Sequence, residues 1–344
     1  MSAVTSTRIV LASRPHGEPS EDNFRTETVE LPDLADGQVL LRTVYLSLDP
    51  YMRNRMNAGE SYADPVEVGD VMVGGTVSQV VDSRAPGLPA GTYVLGYTGW
   101  QSHAVADGTA VRVLDPDRAP LATALGVLGM PGFTAYAGLL KIGQPKAGET
   151  VVVAAASGPV GSAVGQIAKI HGARAVGIAG GPDKCAYVRD QLGFDAAIDH
   201  RAPDFADRLK AAVPDGIDVY FENVGGPVTA AVLPLLNLHA RIPVCGMVSQ
   251  YNVASDPEGP DRLPGFMSLV LVKSLTVRGF IQSEFVREVY GDFERDASQW
   301  LAEGRLKHRE DVVDGLENAP SAFFGMLHGK NFGKLVVRVG SEQD

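Results

Sequence analysis

The sequence predicts an α/β protein in which a β-rich first half precedes a doubly wound parallel sheet. Three observations lead there. From Ala147 onward, short apolar runs alternate with helix-like segments, which is how strands buried on both faces of a sheet read. Helix punctuation separates those runs, with Pro159 and Pro182 at first turns and Gly172 and Gly193 at stops. Before Ala147 the apolar runs are shorter and broken by Gly, Pro and Asp turns, as in a compact β domain or partly open barrel.

In chain order, the strand candidates of the first half are QVLLRTVYLSL (38–48), the stretch 68–81, GTYVLGYTGWQSHAVAD (91–107) and AVRVLDP (110–116). The longest uncharged stretch, 120–140, is interrupted by Pro131 and four glycines. It reads as a buried helical junction and not as a membrane span. The parallel-strand candidates follow: ETVVVAAA (149–156), ARAVGIAG (173–180), DAAIDH (195–200), IDVYFENV (217–224), ARIPVCGMV (240–248) and LTVRGF (275–280). The tail FGKLVVRV (332–339) is a strand expected to return to the first domain.

Composition narrows the partners. The chain has 344 residues, 45% of them hydrophobic, and a net charge of −11. That length suits two domains with their own cores. The charge argues against nucleic acid or an anionic membrane as the main partner. The start of the chain holds no apolar run of signal-peptide length, and the only two cysteines, Cys185 and Cys245, are expected to be reduced thiols in a cytoplasmic protein.

The stretch AAASGPVGSAVGQ (154–166) joins an apolar strand to a helix pattern. A helix N-terminus offers unpaired N–H groups and a positive dipole end, which suit a pyrophosphate. Ala156 takes the first glycine position of the dinucleotide fingerprint, Gly158 the close-approach position and Gly161 the packing position. A glycine-rich turn without ligand would read the same, but the strand–turn–helix context fits dinucleotide binding. NAD-binding versions carry an acidic residue at the end of the next strand, about 20 residues on. Here stand Ala179, Gly180 and Gly181, then Asp183 and Lys184. The missing carboxylate and the added cation point to NADPH. Lys184 contacts the 2′-phosphate or is a solvated helix lysine, and Asp183 binds ribose or only charges the helix start.

These segments, with DPYMR (49–53), MPGFTAYAGLL (130–140), YFENVGG (220–226), RIPVCGMVSQYN (241–252) and GLENAPSAFFGMLHGKNFGK (315–334), resemble the zinc-free medium-chain dehydrogenase/reductases that reduce activated C=C bonds with NADPH. Within them, the likeness is to the 2-alkenal, prostaglandin and bacterial curcumin reductases. The resemblance implies a GroES-like β-rich catalytic domain (1–126, completed by 310–344), a doubly wound parallel-sheet Rossmann domain (127–309) and a homodimer. It implies that Gly158, Pro159, Val160 and Gly161 hold the pyrophosphate, that Lys184 meets the 2′-phosphate, and that Asn223 meets the cofactor from the NVGG turn. Cys245, Gly246, Met247, Ser249 and Tyr251 would line the adenosine and nicotinamide-ribose side. Phe280, Ile281, Gln282 and Asn331 would lie near the nicotinamide. His200 stands where related proteins often have a tyrosine, and a histidine contact there would depend on pH.

Reduction of an enone needs hydride at the β-carbon, a proton at the α-carbon and donors at the carbonyl oxygen. Tyr251 bonds the substrate oxygen, relays a proton through the ribose or water, or only positions the nicotinamide ribose. Tyr51 either contacts substrate or packs between the domains. Met130, with Pro131 and Gly132, is expected to shape an adaptable apolar substrate site. No metal site is expected. Two other functions stay open on sequence: a zinc-free NADPH quinone oxidoreductase, and a non-catalytic NADPH-binding redox sensor.

Overall fold

The computed structural model describes residues 4–59, 61–253 and 260–342. The chain divides into two compact units, Met1–Leu125 with Glu310–Asp344, and Gly126–Arg309.

The first unit begins with an antiparallel pair, β1 (Thr5–Leu11) and β2 (Phe24–Glu30). β3 (Gln38–Ser47) leads into a short helix, α1 (Tyr51–Arg55). β4 (Thr76–Ser83), β5 (Tyr93–Gly96), β6 (His103–Asp107) and β7 (Arg112–Leu114) follow. Of the segment 68–81, only the second half joins β4. Its first half passes Gly74, where a Cβ would press on Leu46 and Met52, and reaches the pair β1–β2 only by a bridge from Val71 to Val10.

The second unit opens with α2 (Met130–Ala137), which widens into a π turn over Gly138–Gly143. Then come β8 (Thr150–Ala154), α3 (Pro159–Ile170), β9 (Arg174–Ala179), α4 (Pro182–Ala186), β10 (Ala196–Asp199), α5 (Phe205–Ala212) and β11 (Ile217–Phe221). α6 (Gly226–Val232), β12 (Leu236–Val244), α7 (Leu263–Val272), β13 (Thr276–Gly279) and α8 (Val286–Ala302) complete it. The six strands are parallel, in the order β10-β9-β8-β11-β12-β13. β8 is buried along its whole length. Its alternate residues feed two cores: Val151 and Val153 pack with Phe133, Phe221 and Phe293, while Val152 and Ala154 pack with Leu209, Ile217 and Val232. That two-faced burial is why the strand reads as an uninterrupted apolar run.

The chain then returns to the first unit with β14 (Glu310–Asp314), α9 (Ala319–Leu327) and β15 (Lys334–Arg338). β15 inserts between β14 and β3, in the order β14-β15-β3-β4-β5-β7, with β6 also paired to β3. The expected return of the tail is therefore a central strand of that sheet. Among the described residues no helix is long and apolar enough to cross a membrane.

Candidate functional site

Strand order reverses at β8 and β11, and a doubly wound sheet binds ligands outside the carboxyl ends of its strands at such a point. The loop after β8 has the required shape. Ala156 N–H donates to Ile178 O at 2.9 Å and Gly158 N–H to Ala155 O at 2.9 Å. The sequence places the tight turn on Ala156, but the left-handed residue is its neighbour, Ala155, with φ of 53°. Ala156 instead keeps its methyl in the core, where a Cβ on Gly177 would approach it to 2.7 Å. A Cβ on Gly158 would touch only Ala155 O, at 3.2 Å, so its outward face is open to a phosphate. A Cβ on Gly161 would lie 2.8 Å from Ala155 C and 2.9 Å from Ala156 Cα, so no other residue lets α3 sit this close to the turn. Pro159 starts the helix and Val160 packs on the core beneath.

Across the switch point, Asn223 Nδ2 donates to Ala154 O at 2.8 Å and ties the end of β11 to the end of β8. Its neighbour Glu222 is 4% exposed. The Glu222 carboxylate accepts Val224 N–H at 2.7 Å, Gly225 N–H at 2.9 Å and the Thr229 hydroxyl. These bonds shape the NVGG turn, onto which the segment after β12 is laced. Cys245 and Gly246 N–H donate to Glu222 O, Val248 N–H to Asn223 O, and Ser249 donates through both N–H and hydroxyl to Val224 O. Burial, then the Glu222 charge, pushes the Cys245 thiol up to about 12. Met247 is 44% exposed beside it. The Tyr251 phenol folds back on this segment, accepting Met247 N–H at 3.3 Å, and a Cβ on Gly246 would lie 3.1 Å from it. Phe280 puts its ring into the core against Phe221 and Phe285. Its N–H donates to Val244 O at 3.3 Å, which ties the end of β13 to the end of β12. Ile281 N–H is taken by Glu284, and Gln282 is half-buried.

The end of β9 is open where a carboxylate would stand in an NAD site. Gly181 has φ of 93° and open space where a Cβ would stand, and its N–H donates to Asp199 at 2.8 Å. Asp199 also accepts Arg201 N–H at 2.9 Å. Burial pulls the Asp199 carboxyl up, but these two bonds hold it below the usual carboxylate range. A Cβ on Gly180 would meet Arg201 Nε and His200 Nε2, each at 3.0 Å. Burial, followed by the Arg201 and Lys184 charges, pulls His200 below the ordinary histidine range, against the attraction of Asp199. Lys184, His200 and Arg201 thus gather at one corner. Sequence reasoning misses Arg201 because it follows β10, which is adjacent only through the sheet order. The signal available is a basic pair, His200-Arg201, just past a strand end.

The remaining site residues lie elsewhere. Met130 starts α2, and Thr134 donates to its carbonyl at 2.8 Å; a Cβ on Gly132 would collide with the Val127 carbonyl. In the first unit, Tyr51 begins α1 and packs on the core containing Leu48, Met52 and Trp100. Burial, then the Asp49 carboxylate, raises its phenol above the usual tyrosine range. Asn331 Nδ2 donates to Gly333 O at 2.9 Å. Asp218 is structural: it accepts Thr150 N–H at 2.8 Å and the Asn237 amide at 2.9 Å.

Two family models match the chain, one described as the N-terminal domain of oxidoreductase over residues 7–114 and one as zinc-binding dehydrogenase over 159–303. Among the described residues no group of three or more His, Cys, Asp or Glu is arranged to hold a metal ion. The chain is 56% identical over 336 residues to the NADPH-dependent curcumin reductase of Escherichia coli (strain K12), covering 97% of each. It is 42% identical to prostaglandin reductase 1 of Rattus norvegicus, covering 94% of this chain and 95% of that one. The crystal structure of CurA from Vibrio vulnificus in complex with NADPH matches with a TM-score of 0.94 and 55% identity, covering 97% of this chain and 99% of that one.

Proposed function

Because the chain belongs to the zinc-free medium-chain dehydrogenase/reductases, in the group of curcumin and prostaglandin reductases, we propose that it is an NADPH-dependent reductase of the C=C bond of α,β-unsaturated aldehydes and ketones. The observation that carries the cofactor choice is the corner at Gly180: no carboxylate at the strand end, and Lys184, His200 and Arg201 around it. The residues fit NADPH at both phosphate positions. Gly158, Pro159, Val160 and Gly161 present backbone at the start of α3 for the pyrophosphate. Asn223 and the segment from Cys245 to Tyr251 border the switch point where the rest of the cofactor would lie.

When bound, NADPH supplies the hydride that the β-carbon receives. The chain's own task is to orient the enone and stabilise the negative charge that develops on its carbonyl oxygen. Tyr251 is assigned to that oxygen, or to the proton delivered at the α-carbon. The Met247 N–H bonded to its phenol oxygen polarises the O–H and makes it a better donor. Tyr51, held neutral through the working pH range by burial and Asp49, is assigned as a substrate-contacting donor. Met130, Phe280, Ile281, Gln282 and Asn331 are assigned to the substrate and nicotinamide half of the site.

A homodimer and a cytoplasmic location complete the reading. Among the described residues β13 pairs only with β12, and all four of its residues are exposed. Beside it in the chain, α7 exposes Leu263, Met267, Leu271 and Val272, at 55–80% each. An exposed strand edge and an apolar helix of this kind mark an interaction surface, and a second copy offers both features in return. Leu271→Glu should give a monomer in light scattering; an unchanged mass would remove α7 from the interface. For the activity, NADPH oxidation is followed with an enal and a quinone under one assay. A higher kcat/KM with the enal is expected. Preference for the quinone would favour the oxidoreductase alternative, and tight NADPH binding without turnover of either would favour a sensor.

A further inference from the structure

The first unit contains a buried ion pair that joins Asp49, the carboxylate beside Tyr51, to Lys334. Lys334 is 2% exposed and Asp49 is 5% exposed. Lys334 Nζ donates to Asp49 Oδ1 at 2.6 Å and to Leu48 O at 2.8 Å. The other carboxylate oxygen accepts the Ser47 hydroxyl. Leu48 N–H in turn donates to Leu335 O at 3.2 Å. These bonds fasten the end of β3 to the start of β15, although the paired residues are 285 apart in the chain.

Both ends carry residues assigned to the site. Asp49 precedes Tyr51 by two positions, and its carbonyl accepts Met52 N–H at 3.1 Å, so the pair sits at the base of α1. Lys334 follows Asn331 by three positions, and Asn331 is bonded to the intervening Gly333. α1 is also held by Arg53, which donates to Asn57 at 2.6 Å and to Gly17 O at 2.5 Å. The Asp49 side of Tyr51 is fixed through this pair.

We infer that Lys334 and Asp49 are positioning residues for Tyr51: the pair sets where the phenol stands. Buried ion pairs add little net stability over an apolar replacement of the same shape, so stability alone gives this one little reason to exist. Burial pulls the Lys334 ammonium below the ordinary lysine range while Asp49 opposes that pull, so the Lys334 charge depends on its partner.

The inference rests on Tyr51 touching substrate, and the test separates the two. Lys334→Met alone strands a buried carboxylate and is at risk of not folding. The double variant Asp49→Asn/Lys334→Met removes both charges and keeps the shape. Steady-state kinetics with cinnamaldehyde are compared for the wild type, Tyr51→Phe, the double variant and the triple variant, with NADPH affinity measured by fluorescence. The expected result is a kcat/KM for the double variant lowered about tenfold, carried mainly by kcat, with NADPH affinity within about twofold of wild type. The triple variant should be no worse than Tyr51→Phe, because the pair acts through that phenol. Wild-type kcat/KM in the double variant, or losses that multiply in the triple variant, would overturn the positioning role. Wild-type kinetics in Tyr51→Phe would overturn the assignment of Tyr51 and the inference with it.

Discussion

Replacing Gly180 by aspartate should cut the preference for NADPH over NADH. Gly180 does not have a positive φ, so a side chain costs no backbone strain there, unlike at Gly181. Its Cβ would meet only the far ends of Arg201 and His200, which are flexible and can shift. The new carboxylate would then stand in the corner proposed for the 2′-phosphate. One unit charge facing a phosphate of about −2 at about 6 Å, in an effective dielectric of about 60, costs roughly 2 kcal/mol. Diverting Arg201 to the aspartate removes about 1 kcal/mol more, the worth of an exposed charged contact. A total of about 3 kcal/mol is roughly a hundredfold in the ratio of kcat/KM for NADPH to that for NADH. Steady-state kinetics with both cofactors at fixed enal read that ratio directly. Raising the salt should shrink the effect, since the charges are exposed and the Debye length is about 8 Å at 0.15 M. A ratio unchanged, or equal losses with both cofactors, would show that the 2′-phosphate does not lie at Gly180.

Three further outcomes are expected. Lys184→Ala and Arg201→Ala should each lower NADPH affinity about 3- to 10-fold and leave NADH affinity unchanged, as exposed charge-assisted contacts do; equal effects on both cofactors would take the residue out of the corner. Tyr251→Phe should lower kcat with an enal by about 10- to 100-fold and change NADPH affinity little, whereas wild-type turnover would leave Tyr251 a purely positional role. The native thiols should resist alkylation. Burial raises the Cys185 thiol, and desolvation with the Glu222 charge pushes half-buried Cys245 up to about 12, so little of either is thiolate at pH 8; reactivity should climb with pH, and fast labelling of the folded protein by iodoacetamide at pH 8 would contradict this.

What the sequence reveals of this fold follows from burial. β8, β9 and β11 lie inside a sheet covered on both faces, so nearly every residue is apolar and the strands stand out. β2 and β14 have no buried residue and carry Arg, Glu and Asp, which hides them in a charged background. The glycines of the phosphate loop are legible because each excludes a specific backbone contact. The turn residue is off by one on sequence because Ala155 and Ala156 are the same residue type and only φ distinguishes them. Arg201 and the Asp49–Lys334 pair are not legible for a different reason. Both depend on which strands become neighbours, and neither sheet order nor pairing across 285 residues leaves a local mark.

The insertion of β15 between β14 and β3 bears on how the chain is made. The second unit is one continuous segment and can complete its sheet as soon as it has left the ribosome. The first unit is begun earlier but finished later, because β3 waits for a strand that is synthesised only after the whole second unit. Until then Asp49 has no Lys334, Leu48 has no partner at Leu335, and the apolar face meant for Phe323, Leu335 and Val337 is open. Loss of β15 would therefore undo the unit whose translation began first.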